Sequence, residues 1–203
     1  MADDNLRRRW GQVVDAAAQL FHEKGYAATS VQDVADTLGL LKGSLYYYIK
    51  TKEDLLFAVV EDAHAASIAN LEVVRASGPD CTAELRAFVR AHLGLLIRER
   101  VKLSVYLHDF RSLTSEHQHS VSAKRRDYSG YLEELIARGQ QDQSFASSLN
   151  PHLTMLALLG MLNWTYEWYR EGDAASAEQI IESFTAAALR MVGAPVPADT
   201  DAG

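Results

Sequence analysis

The sequence holds a single cysteine, Cys81, among 203 residues. This excludes an internal disulfide framework and any zinc site built on several thiolates. Proline is scarce as well: there are four, and two of them, Pro195 and Pro197, fall in the last ten residues. With so few breakers, helices can run long. Extended apolar runs are missing too. The longest, Leu153 to Trp164, is interrupted by Thr154 and Asn163 and is too short to span a bilayer, which takes about 20 residues. The opening MADDNLRRRW carries no apolar stretch behind its charges, so it does not read as a signal peptide. Period-two alternation long enough for a strand is absent, and so is any internal repeat. What remains is 48% hydrophobic residues, enough to offset the ordering entropy of a globular fold. The expectation is an all-α, soluble, cytoplasmic protein with no membrane segment.

Net charge is −7, which taken in bulk argues against nucleic acid as a partner. Its distribution changes that reading. Residues 1–52 carry seven Lys/Arg and six Asp/Glu, a balance of +1, while residues 53–203 carry a balance of −8. A local basic patch in the first part can still meet phosphate.

Leu6, Trp10, Val13, Val14, Ala17, Leu20 and Phe21 repeat at helical spacing, and Gly25 follows as a stop. Ser30 with Asp33 reads as a cap for a second, short helix ending at Gly39. A third pattern spans Leu40 to Ile49, with Leu41, Leu45 and Ile49 on one side. Further helices are expected over about 52–76, 82–98, 101–113 and up to 138. Residues 114–120 read as a loop or a frayed turn, and 139–148 as a polar, mobile stretch. Asn150-Pro151 starts an eighth helix reaching Arg170, and Ser176 with Gln179 caps a ninth ending at Gly193. Residues 194–203 read as a disordered tail.

Three short helices in about 45 residues, the second and third joined by Gly39-Leu40-Leu41, form a helix-turn-helix pattern. With Leu45 and Ile49 inward, Lys42, Gly43, Ser44, Tyr46 and Tyr47 are left outside. Lys42 and Ser44 can donate to base acceptors, a tyrosine ring can pack on a thymine methyl, and Gly43 allows close backbone approach. Tyr48 and Lys52 fall where a phosphate would run. The competing reading is a structural helix with its tyrosines inside. At 100° per residue, however, three consecutive tyrosines cannot share one face.

Residues 30–55, SVQDVADTLGLLKGSLYYYIKTKEDL, resemble the N-terminal signature of TetR-family transcriptional regulators, T-x-x-x-I-A-x-x-x-G-V-S-x-G-x-L-Y-x-H-F-x-x-K-E-x-L. Val34, Ala35, Gly39, Gly43, Leu45, Tyr46, Lys52, Glu53 and Leu55 match. Leu41 departs, standing where a small capping residue is usual, and Tyr48-Ile49 replaces His-Phe. The resemblance implies a homodimer whose third helices enter successive major grooves of a palindromic DNA operator. Carried over, it puts Gln32, Lys42, Ser44 and Tyr47 at bases and Ser30, Tyr46, Tyr48 and Lys52 at phosphates. Residues 1–52 would then be the DNA-binding domain, and residues 53–193 the effector-binding and dimerisation domain.

The eighth helix is apolar nearly all round, and the ninth carries small residues that allow close approach. Together they suit a homodimer interface, the alternative being a monomeric core. Within the family, Asn163-Trp164 followed by Glu167-Trp168-Tyr169-Arg170 is similar to regulators that answer acyl-CoA thioesters. A small hydrophobic effector, with an acyl-CoA as candidate, would be held by Tyr106, Arg125, Trp164 and Trp168. Two alternatives stay open: the tryptophans pack a core or an interface, and the Lys124-Arg125-Arg126 run is a solvated face. His117 and His119 are two apart, wrong for a shared metal face, and Cys81 has no basic neighbour in sequence. No cofactor or metal is expected. A helical enzyme lacks any nucleophile–base pair or phosphate loop to support it. A DNA-binding regulator without an effector, or one answering a non-CoA hydrophobic compound, remains an alternative.

Overall fold

A computed structural model of the chain describes residues 2–76, 80–172 and 174–194. The described residues contain ten α-helical segments, one 3-10 turn and no strand, so the protein is all-α. They pack as two compact units, one built from residues up to 66 with 99–124, the other from 67–98 and from 125 onward.

The first unit holds α1 (Ala2–Lys24), α2 (Val31–Thr37), α3 (Lys42–Leu45), α6 (Arg100–Asp109), a 3-10 turn (Phe110–Ser112), and the early parts of α4 (Lys52–Arg75) and α7 (Ser115–Gln141). Its core collects Val13, Val14, Ala17 and Phe21 of α1, Val34 and Ala35 of α2, Leu45 and Ile49, and Leu55, Leu56, Val59 and Val60 of α4. The packing therefore continues well past residue 52. Gly25 (φ +83°) and Gly39 (φ +63°) end α1 and α2 in the left-handed region that L side chains avoid. Ser30 caps α2 in a reciprocal box with Asp33, and its hydroxyl and amide hold that carboxyl below the ordinary range. Lys102 of α6 bonds Asp15 of α1 at 2.6 Å and Asp62 of α4 at 2.7 Å. Burial alone would lower this ammonium's pKa, but the two carboxylates outweigh it and raise it.

The second unit holds α5 (Cys81–Arg98), α8 (Pro151–Asn163), α9 (Thr165–Trp168), α10 (Ala177–Val192) and the later parts of α4 and α7. Leu85, Phe88, Leu93, Leu132, Leu135, Ile136, Leu158, Leu162, Ala188 and Leu189 make its core. Both predicted caps form: Asn150 accepts from the Leu153 amide, and Ser176 and Gln179 close a capping box.

Four boundaries differ from the sequence expectation. The third helix is one turn, not ten residues. Residues 115–120, expected as a loop or a frayed turn, are the first turns of α7, because the Glu53 carboxylate accepts the Thr114 amide at 2.8 Å and stabilises that helix start. The expected mobile stretch at 139–148 begins as helix, and Phe145 then folds its ring over Gly139. The eighth helix breaks at Trp164, after which Tyr169 turns extended and is buried. The expected tail, apart from Ala194, lies outside the described residues.

A Cβ on Gly139 would run into the buried Phe145 ring, whereas one on exposed Gly130, also in α7, would meet nothing. We expect Gly139→Ala to cost a net ~1–2 kcal/mol through overpacking, lowering Tm by about 2–8 °C. Gly130→Ala should instead gain about 0.5–1 kcal/mol of helix propensity. Thermal denaturation of both variants checks the contrast.

Candidate functional site

A four-residue helix makes too few hydrogen bonds to hold itself, so α3 depends on what it buries. Leu45 is fully buried and Ile49 nearly so, both in the first unit's core. Tyr48 is half-buried and stacks on Trp10 of α1, with ring centroids 5.6 Å apart. Tyr47 meets Tyr48 edge-on at 5.2 Å and is otherwise 77% exposed. These anchors leave Lys42, Gly43, Ser44 and Tyr47 exposed on one short segment, and with them Leu41, which was expected on the side of Leu45 and Ile49 but sits outside the helical register as the extended N-cap. The Lys42 ammonium lies 5.9 Å from the Tyr46 ring centre, and Tyr46 is itself about half exposed. Gly43 presents bare backbone with open space where a side chain would be. The group offers a cation, a hydroxyl, a phenol and an unshielded main chain, a set suited to the edges of bases and to phosphates.

The other expected contacts are placed differently. The Ser30 hydroxyl is engaged with Asp33, and the Gln32 amide donates to Asp36 Oδ1 at 2.7 Å, both at the surface. Lys52, expected at a phosphate, also has partners within the first unit. Its Nζ donates to the Tyr26 carbonyl at 2.9 Å and the Ala27 carbonyl at 3.4 Å, and it lies 4.3 Å from the Tyr26 ring centre. It ties the start of α4 to the α1–α2 turn. A cation donating to turn carbonyls makes charge-assisted hydrogen bonds, which the spacing of the motif alone does not reveal.

The four expected effector residues are divided between the two units. Tyr106 belongs to the first unit, half-buried against its core. Arg125 is exposed on α7, and its neighbour Lys124 pairs with Glu61. Trp164 and Trp168 are 60% and 41% exposed, and Trp168 meets Phe184 of α10 edge-on. The register of α8 explains this: Met155, Leu158 and Leu162 point inward, and Trp164 lies two residues, about 200°, beyond Leu162. The outer side of α8 carries Leu153 and Leu156 with Trp164, all more than half exposed.

The second unit's interior instead holds a polar group that sequence reading passed over. His92 of α5 is partly buried, packed against Phe88 and Tyr128 of the second unit's core. Its Nδ1 lies 2.8 Å from the Tyr128 hydroxyl and its Nε2 3.1 Å from Asn163 Oδ1, while Phe88 stacks on the ring. Burial pushes the imidazole pKa down to about 4, against a weaker opposing pull from Asn163. The available signal was a histidine at a core position of an apolar helix, and Asn163 just before a tryptophan. A separate cleft of about 790 Å³ at Arg75, Cys81, Glu84, Tyr131, Glu134 and Arg138 carries charges of both signs and does not suit an apolar ligand. The described residues include no cluster of three or more His, Cys, Asp or Glu placed to hold a metal ion, and no helix long and apolar enough to cross a membrane.

Two family profiles match the chain. "Bacterial regulatory proteins, tetR family" covers residues 13–59, and "Tetracyclin repressor-like, C-terminal domain" covers residues 78–192. The chain is 25% identical over 197 residues to the HTH-type transcriptional repressor KstR2 of Rhodococcus jostii, covering 96% of this chain and 97% of that protein. Among solved structures, PfmR of Thermus thermophilus superposes with a TM-score of 0.81 at 31% identity, covering 88% of this chain and 97% of that one. AibR, solved in complex with isovaleryl coenzyme A and operator DNA, gives 0.82 at 28% identity with the same coverage.

The depressed His92 pKa has a testable sign. In the unfolded chain the imidazole takes up its proton near pH 6.5, and in the fold only near pH 4. Stability from this group is thus complete above about pH 6.5 and is lost as pH falls toward 4. Between pH 7 and pH 5 urea denaturation should show a loss of about 2 kcal/mol, which His92→Gln should remove.

Proposed function

The chain belongs to the TetR family of bacterial regulators, and on that premise we propose that it is a ligand-responsive transcriptional repressor. It binds a palindromic operator as a homodimer and is released by a hydrophobic small molecule, with an acyl-CoA thioester as the leading class. On this reading the functional division falls at residues 52 and 53, DNA binding before it and effector binding with dimerisation after it. The repressor is cytoplasmic, where both its operator and a CoA thioester would be found.

The observation that carries the DNA reading is the outward set Lys42, Gly43, Ser44 and Tyr47, held by the burial of Leu45 and Ile49. In a dimer, two such segments must meet grooves one helical turn apart, about 34 Å. The apolar outer side of α8 and the accompanying face of α10, with Ala187 and Met191, support pairing of two copies through these helices. The His92–Tyr128–Asn163 group, set in apolar surroundings, supports an effector that is mostly hydrophobic with one polar function such as a carbonyl. That AibR was solved with isovaleryl coenzyme A supports the thioester class. Release requires that the effector favour a conformer whose recognition segments no longer match the groove spacing.

Gel-shift or anisotropy titration on a site selected from random DNA tests the reading. Lys42→Ala and Tyr47→Ala should lose discrimination between that site and random DNA more than they lose general affinity. Equal losses on both DNAs would remove the assignment. A panel of acyl-CoAs, free CoA and free fatty acids should contain a thioester that lowers operator affinity about 5- to 150-fold. If only other small molecules act, the effector is a non-CoA hydrophobic compound; if none acts, the chain is a regulator without an effector. Ala187→Arg should place a charge in the apolar pairing face and yield monomers or aggregates in sedimentation analysis.

A further inference from the structure

Leu41 combines two unfavourable choices at one position. It is the N-cap of α3, with extended backbone angles (φ −71°, ψ 137°), and makes no side-chain cap hydrogen bond. Ser, Thr, Asp or Asn there would supply an acceptor to the first-turn amides and stabilise the helix start. Its side chain is also 81% exposed, the highest value among the exposed large apolar side chains of the described residues. Leu38 and Leu40, the leucines just before it, pack against the first unit's core, so the segment had an apolar anchor without it. Leu41 therefore breaks two local rules with no compensating contact in the fold. Residues of that kind mark functional positions.

The chemistry around it limits the occupant. Lys42 and Ser44 follow it closely and Tyr47 is exposed on the same short segment, so a surface that docks against this segment has Leu41 within its footprint. In a DNA major groove the apolar group on offer is the C5-methyl of thymine, and an aliphatic side chain reads it by excluding water from it. We propose that Leu41 is a specificity residue that packs on a thymine methyl in each operator half-site, a contact the segment would lack with a small polar cap. The inference rests on the DNA-binding reading above. It adds that recognition by this chain depends on a methyl group as well as on hydrogen bonds. 5-Methylcytosine presents the same methyl at the same groove position and would be met by the same side chain.

The test uses the full-length dimer and the best site selected from a random DNA pool. Each thymine in that site is replaced in turn, in both half-sites, by deoxyuridine, which removes only the methyl. At one position, wild-type affinity should fall about three- to fivefold per methyl, or about 10- to 20-fold for the symmetric pair. Leu41→Ser should bind the thymine and deoxyuridine versions of that site equally, while keeping the dimer and its preference elsewhere in the site. With a C·G pair at the sensitive position, methylating the cytosine at C5 should strengthen wild-type binding and leave Leu41→Ser binding unchanged. If the wild type selects a site but is indifferent to every deoxyuridine, the Leu41 inference falls and the DNA-binding reading stands. Full sensitivity retained by Leu41→Ser would overturn the inference in the same way. If no site is selected at all, both fall.

Discussion

A helical turn of four residues has almost no stability of its own, and the candidate DNA-reading surface exists only because Leu45 and Ile49 are buried beneath it. That burial decides which side chains face out. It needs a core formed by α1, α2 and the start of α4, and this explains why the packed unit runs past the helix-turn-helix segment to include Leu55, Leu56, Val59 and Val60. Trp10 and Tyr48 extend the same support by stacking from α1 onto the turn after α3. Lys52 and Lys102 supply polar restraint, the first to backbone carbonyls and the second to carboxylates on two helices. Each cation is satisfied within the unit, so rearranging α1, α4 or α6 means breaking charge-assisted bonds as well as apolar contacts.

The second unit presents the opposite arrangement. Its core is apolar apart from a few polar groups, among them His92 bonded to Tyr128 and Asn163. A neutral imidazole there can accept or donate a hydrogen bond, and the low pKa keeps it uncharged through the ordinary pH range. Glu84, by contrast, keeps its buried carboxylate matched by the Arg138 guanidinium and the Tyr131 hydroxyl, and the tyrosine's pKa rises through burial and that neighbouring charge.

Much of the fold was legible in periodicity and punctuation. Gly25, Gly39, Ser30, Asn150 and Ser176 marked helix ends correctly because each acts through its own backbone or within three residues of itself. What local patterns left out depended on distant partners. The start of α7 looked polar and loop-like because the group that stabilises it, Glu53, lies 61 residues earlier. Lys52 fitted a motif position, but the carbonyls it meets are 25 and 26 residues away. The tryptophans of the eighth helix were conspicuous by type, yet their direction followed from α8's register and from a break at Trp164. Type and spacing located the helix-turn-helix. They could not reveal which interior polar groups meet, since His92, Tyr128 and Asn163 come from three different helices.

Cys81, the one thiol, is buried at the start of α5, and burial with the Asp142 contact pushes its pKa up to about 11. At neutral pH almost none of it is the nucleophilic thiolate. The chain thus carries a built-in chemical clock for local opening. Although Cys81 borders the cleft at Glu84 and Tyr131, a maleimide or disulfide reagent meets a buried, protonated thiol there, so labelling is slow in the packed state and quickens when the α5 start opens. No second cysteine competes for the reagent, and new cysteines placed on the surface would be labelled first.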